Sequence, residues 1–377
     1  MDSRGRIAEL RVNALDEADA SSHSGMLLPG FVNAHAHLEL SDLRQQVIGG
    51  HGLSSWAMAL LARRRPPQDE AIRTAIDEAY EAGTAAIVDT TNSGAPLPLL
   101  ADSPMRALGQ IELIGIEPER CEAAHSQAAR LLLAPGIPAV ETCHAVVSCS
   151  ADLIAEVLQP TGLPGPARTF HCDEDPEDGR LLREQSGSWA DFLDRLGRQW
   201  RGRIGQAQST VALLDELGVL GPHLGLVHCV HTGEADLDRI ARSGSVVVLC
   251  PRSNLHIGGR LPDVPAMIAR GIPLAIGTDS LASAPDMDLL AEAATLAARF
   301  PTVAPAVWIE ALTIGGSRLL VEGPKTRATA LARGSLYPGA EHGLVLVSIP
   351  RTEDPASTLL DGTRWPRRWL SPPVGAA

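Results

Sequence analysis

The sequence predicts an α/β protein built as a (β/α)8 barrel, and three observations carry that reading. Eight short apolar runs rich in β-branched residues alternate with amphipathic helical stretches. Together they span about 250 residues, the size of such a barrel. Six of the twelve histidines fall at or just past the ends of those runs. Runs that are apolar on both faces are what parallel strands covered by helices look like. A doubly wound open sheet is the alternative arrangement of the same pattern.

In chain order, the strand candidates are Leu27–Ala34, Ala85–Thr91, Arg106–Gly115, Ala139–Ser148, Arg168–Cys172, Leu224–Cys229, Ser245–Cys250 and Pro273–Gly277. Between the first two, Ala71, Ile72, Ala75, Ile76, Ala79 and Tyr80 share one helical face. Asp69 is placed as N-cap of that helix and Gly83 follows its end. Asp236–Ser243 and Pro262–Gly271 repeat this order of helix, glycine and strand. The long charged stretch Asp173–Arg203 is expected to form a lid over one end. The barrel is assigned to residues 29–333. Residues 1–28 and 334–377 hold short alternating pieces, Arg6–Val12 and Gly343–Ile349, which are expected to pair as a small β-structure from both termini. The last dozen residues, with Pro366, Pro372 and Pro373, are expected to be a loosely ordered or surface-draped tail.

Composition narrows the function. The formal charge of −13 would repel phosphate backbones and anionic lipid, so no nucleic-acid or membrane partner is expected. Apolar residues make up 45% of the chain, ample for a core. No run reaches the roughly 18 apolar residues of a membrane span, and no apolar segment of a secretory signal follows the start. The six cysteines form no C-x-x-C pair, which suits reduced buried thiols and a cytoplasmic protein. Of 32 basic residues only Lys325 is a lysine, and it follows the eighth run. A Schiff base, or a modified lysine bridging two metals, is therefore excluded on the middle strands. The sequence also lacks a Walker A loop, a G-x-G-x-x-G turn, a G-x-S-x-G elbow and the cytidine-deaminase signature.

The chemistry lies at the strand ends. His35 and His37 stand two apart on a strand, so both imidazoles point to one face and are able to share a cation. His171, His228 and Asp279 follow three other strands, on the rim where barrel active sites occur. Imidazoles with one carboxylate and an open position make a catalytic metal site. One metal is favoured over two. Glu174, three residues past His171, is placed to carry a proton, although spacing alone leaves Asp173 as an equal choice. His231 is open to either a structural or a binding role, because strand alternation sends it away from His228. Trp56 packs or stacks on a substrate.

These residues resemble a family. Pro29-Gly-Phe-Val-Asn-Ala-His-Ala-His-Leu-Glu39 looks like the opening of the amidohydrolase superfamily in its single-metal aminohydrolase branch. His171-x-x-Glu174, Leu226-Val-His-Cys-Val-His231, Cys250-Pro-Arg-Ser-Asn254 and Gly277-Thr-Asp-Ser-Leu-Ala-Ser283 follow in that branch's order. The resemblance implies a distorted (β/α)8 TIM barrel with a small β-sandwich from both termini. It implies metal ligands at His35, His37, His171 and Asp279, with zinc first and iron(II) or manganese also matching. Glu174 becomes the proton shuttle, and His228 stands beside the hydrolytic water. His144 falls where relatives carry a substrate-contacting His-Ala-Pro-Tyr segment, here with Val146 and Val147 in place of Pro-Tyr. Where relatives usually carry a lysine after Asn254, this chain reads Leu-His-Ile-Gly-Gly.

Within the branch, His37-Leu-Glu-Leu-Ser41 and Trp56 look most like the bacterial group that deaminates aminodeoxyfutalosine, an adenine-bearing nucleoside of menaquinone synthesis. The expected activity is hydrolytic loss of ammonia from a 6-aminopurine nucleoside at a metal-activated water. Sister activities on S-adenosylhomocysteine, methylthioadenosine, guanine, cytosine or triazines are the alternatives, and a non-catalytic barrel is the remote one. The expected partner is a small-molecule substrate held by His144, Trp56 and His231, with a homo-oligomer also compatible.

Overall fold

The computed structural model describes residues 2, 6–11, 21–134, 136–160, 167–320, 334–340 and 342–373. Eleven strands are defined among them: β1 (Met26–Pro29), β2 (Phe31–Ala36), β3 (Thr84–Thr91), β4 (Arg106–Leu113), β5 (Ala139–Cys143), β6 (Arg168–Cys172), β7 (Leu224–His228), β8 (Val246–Leu249), β9 (Leu274–Ile276), β10 (Leu344–Val347) and β11 (Arg367–Ser371). Strands β2 to β9 are the eight barrel strands. They pair in parallel as two half-barrels, β2-β3-β4-β5 and β6-β7-β8-β9.

The half-barrels meet at two seams, each carrying one parallel bridge, Ala145 to His171 and Ala36 to Asp279. This is the distortion in the barrel, and it passes through the expected site. Buried side chains hold the seams where the ladder is thin. Gln110 on β4 accepts from the Thr169 backbone N–H and donates to the Ala167 carbonyl, both at 3.0 Å. Asn33 donates to the Thr278 hydroxyl at 2.8 Å and accepts from the Thr278 N–H at 3.1 Å. Such buried polar groups stabilise only because they are paired.

The first apolar run divides at Gly30, where the chain crosses from the small sheet into the barrel. A Cβ there would stand 2.4 Å from Ala85 Cβ and 2.5 Å from the His342 carbonyl, so only glycine fits. Strand β1 pairs antiparallel with β10, and β10 with β11, joining segments from near both ends of the chain. The expected strand over Arg6–Val12 does not form among the described residues. Ile7 instead exchanges single backbone hydrogen bonds with Gly339 and Ala340.

The expected loose tail is overturned as well. Strand β11 lies inside it, with prolines flanking the strand rather than breaking it. Trp369 stacks on Tyr80 and donates its indole N–H to the Tyr80 carbonyl at 3.0 Å. Arg367 makes a two-pronged ion pair with Asp288, both contacts 2.7 Å. These long-range contacts order a segment whose composition alone reads as a tail. Lys325 lies outside the described residues.

The stretch expected as a lid contains helices Pro176–Glu184 and Ser188–Arg195. Their apolar faces meet through Trp189, Leu181 and Leu182, all buried. No helix among the described residues is long and apolar enough to cross a membrane.

Candidate active site

Strand β2 ends at Ala36, so His35 and His37 project from the last turn of one strand toward the same rim. His171 arrives from β6 across the first seam. Its Nε2 atom lies 3.2 Å from His35 Nε2 and 3.3 Å from His37 Nε2. The His35 ring stands edge-on to both others, at 87° and 82°, so the three nitrogens converge on one point. Asp279 Oδ1 faces the same point, 3.9 Å from His35 Nε2 and 3.8 Å from His37 Nε2.

The remaining ring atoms fix which nitrogen is bare. His171 Nδ1 lies 3.0 Å from the His144 carbonyl, which only accepts, so Nδ1 carries the proton and Nε2 offers its lone pair. Burial holds His35 well below its ordinary pKa, and His37 adds to the effect. His171 is lowered to about 3 by burial and by His144. Burial would raise Asp279, but His228, His37 and the Ser253 hydroxyl outweigh it and keep the group a carboxylate. Ser253 donates to Asp279 Oδ2 at 2.5 Å. Three imidazoles and one carboxylate converging on one point fit a single divalent cation.

Beside this cluster lie Glu174 and His228, with Glu174 Oε2 3.4 Å from His228 Nε2. Burial, then the charge of Asp279, pushes the Glu174 carboxyl well above its ordinary pKa. His228 is lowered to about 4, chiefly by burial. The backbone here is unusual. Asp173, His228, Cys229 and Asp279 all have φ between 46° and 75°, a region that costs non-glycine residues about 1–3 kcal/mol each. This conformation turns the chain sharply as it leaves the strands, so His228 and Asp279 face inward where a regular strand would carry them past the rim.

The other expected site residues separate. His144 and Trp56 line a cavity of about 270 Å³ above the cluster, together with Glu174, His228 and Asp279. The His144 ring is anchored by Ser148 at 2.7 Å through Nδ1. His231 does not line that cavity, but a second one that shares Glu174 with it. Asp173, which spacing alone could not separate from Glu174, is buried in structural contacts. It accepts from the Thr210 N–H at 3.3 Å and the Thr232 hydroxyl at 3.0 Å.

Several lining groups carried no signal in the sequence. Glu112 on β4 places a buried carboxylate 3.7 Å from His171 Nδ1. Asp178 sits in the cavity wall, raised to about 8 by burial and by Asp173. Arg64 spans to Glu39 at 2.7 Å. Asp178 and Arg64 are ordinary charged residues in charged stretches and Glu112 is a lone acid in an apolar strand, and only the fold brings them together.

A barrel with a single-cation cluster at its C-terminal rim, flanked by a buried acid and a histidine, defines a metal-dependent hydrolase. The match to the amidohydrolase family model runs over residues 26–321, most of the chain. The chain belongs to the amidohydrolase family, whose members hydrolyse carbon–nitrogen bonds. It is 27% identical over 309 residues to the aminodeoxyfutalosine deaminase of Deinococcus radiodurans, covering 78% of this chain and 73% of that protein. Helicobacter pylori aminofutalosine deaminase, solved with methylthio-coformycin, superposes with a TM-score of 0.74 at 20% identity, over 93% of this chain and 86% of that one. A zinc-bound adenosine deaminase from Xanthomonas campestris gives 0.67 at 23% identity, covering 89% and 76% of the two chains.

Proposed function

We propose that this protein hydrolytically deaminates a 6-aminopurine nucleoside carrying a bulky 5′ substituent, with aminodeoxyfutalosine the leading substrate. The convergence of His35, His37, His171 and Asp279 beside the buried Glu174 carboxyl is the observation that carries the reading. The D. radiodurans relative supports the substrate choice. Zinc is the proposed ion, in keeping with the donor set and with the zinc-bound X. campestris structure.

A divalent ion held by this set supplies an activated water near neutral pH. The protein supplies the rest. Burial and the charge of Asp279 favour the protonated form of Glu174, whose carboxyl is positioned to deliver a proton to a ring nitrogen, making the adjacent amino-bearing carbon electrophilic. Asp279 stays ionised and takes a proton from the attacking water. Asn254 donates to His228 Nδ1 at 2.9 Å, which leaves the His228 proton on Nε2, facing Glu174 and the incoming oxygen. Ammonia departs and a 6-oxopurine remains.

The upper cavity suits such a substrate. Leu53, Trp56, Leu60, Phe192, Leu193 and Leu196 give it apolar walls, and His144 adds a polar contact. Incubating purified enzyme with aminodeoxyfutalosine, methylthioadenosine, S-adenosylhomocysteine, guanine and cytosine while following ammonia tests the reading. Ammonia is expected from the adenine nucleosides, aminodeoxyfutalosine first. Turnover of guanine or cytosine alone would overturn the substrate assignment.

A further inference from the structure

Glu174 stands in the wall between two cavities. The second, also about 270 Å³, is lined by Gly50, Pro176, His231, Asn254 and Gly258 as well as Glu174. Gly50, Pro176 and Gly258 are exposed, so the space reaches the surface, while Asn254 and Glu174 form its inner end. Asn254 is only 3% exposed, and its Oδ1 atom has no hydrogen-bond partner among the described residues. Glu174 Oε1 is buried and unpartnered in the same sense. Two buried acceptors at the inner end of a roomy space, with Asp175 and His231 also in its wall, are a setting that water molecules satisfy, since one water needs only about 15 Å³ and two to four polar partners.

The cavity above the cluster, between the helices Ser188–Arg195 and Leu53–Arg63, is where the proposed nucleoside would sit. A bulky 5′ arm there would close the direct route between solvent and Glu174. Each turnover nevertheless consumes one water and releases one ammonia, both beside Glu174. We infer that this second cavity is a back passage, through which water enters and ammonia leaves past Glu174 and Asn254 while the substrate still occupies the cavity above the cluster. No bond is made or broken in it beyond those of the deamination. His231, half-buried in its wall, is a positioning residue that keeps the passage polar. Asp175, also in the wall, ties down the Gly52 loop by accepting from the Leu53 N–H at 2.8 Å, which fixes the shape of the entrance.

The inference rests on the nucleoside-deaminase reading and is tested separately from it. Gly258 has an ordinary backbone conformation, and a Cβ there meets nothing within 4 Å, so Gly258→Leu narrows the passage without strain. His231→Leu narrows and dries it from the opposite wall. Both variants, zinc-loaded and full-length, are compared with wild type on adenosine, whose small 5′ group would leave the cavity above the cluster open, and on aminodeoxyfutalosine. For aminodeoxyfutalosine kcat is expected to fall by about tenfold with kcat/KM nearly unchanged, as when product release becomes limiting. For adenosine kcat should change by less than about twofold. Equal losses on both substrates, or no loss on either, would overturn the passage. Failure of the wild-type enzyme to release ammonia from either nucleoside would overturn the underlying reading and the passage with it.

Discussion

The Nε2 atom of His228 stands 3.4 Å from Glu174 Oε2, while the Asn254 amide holds the other ring nitrogen at 2.9 Å. The ring is thus pinned in one orientation and one tautomer, with its proton directed at the space where water and substrate meet. Replacing Asn254 by Leu releases that constraint without touching a cation ligand. The expected result is a loss of about 10–100-fold in kcat, as outer-shell partners of catalytic histidines typically show, with metal content unchanged. Steady-state kinetics alongside metal analysis check it.

Glu174 and its neighbour Asp173 should separate cleanly by substitution. Glu174→Gln keeps the shape and removes the transferable proton, so kcat should fall by about 10²–10⁴ with the metal retained. Asp173→Asn disturbs the contacts to Thr210 and Thr232 and should appear in thermal stability, at about 1–3 kcal/mol, with much the smaller effect on kcat. Reversed effects would move the shuttle to Asp173.

Asp178 gives a pH signature. Burial, then Asp173, raises its pKa from 3.8 to about 8 in the folded chain, where its Oδ1 accepts from the Trp189 indole N–H at 2.8 Å. Between those two values the folded protein holds a proton that the unfolded chain has lost, so stability declines as pH rises through that window. Asp178→Asn keeps an acceptor for Trp189 and removes the titration. Its Tm relative to wild type should therefore climb between about pH 4 and pH 8. A Tm difference independent of pH would refute the buried, protonated state.

The C-terminal strand is structural. Arg367 and Asp288 are each about one-tenth exposed and doubly bonded, and Asp288 also caps the helix Leu289–Arg299. Arg367→Ala leaves that carboxylate buried and partly unpaired, for an expected cost of about 3–5 kcal/mol in denaturant unfolding. A loss under about 1 kcal/mol would mean that β11 contributes little.

Local pattern made the eight barrel strands legible, because continuous β-branched runs have few other solutions. The cation cluster was legible because its histidines recur at strand ends, and the resemblance separated Glu174 from Asp173. What stayed hidden depends on geometry that no local pattern encodes. The left-handed turns at His228 and Asp279 end the strands early and direct these two side chains inward. They also leave His231 beyond the strand, beside the second cavity rather than the substrate's. Strand β11 reads as tail because its partners, Tyr80 and Asp288, lie far away in sequence. Glu112, Asp178 and Asn254 gain their roles only when separate strands and loops close around one point.

If one cation held by His35, His37, His171 and Asp279 drives ammonia release from an adenine nucleoside, titrating chelator-stripped enzyme with zinc while measuring ammonia and 6-oxopurine product from aminodeoxyfutalosine tests it most directly, with His171→Ala as control. Activity should rise linearly to a plateau at one zinc per chain, with equal amounts of both products and neither binding nor activity in the variant. Full activity in the stripped enzyme, a plateau at two ions, or an active His171→Ala protein would contradict it.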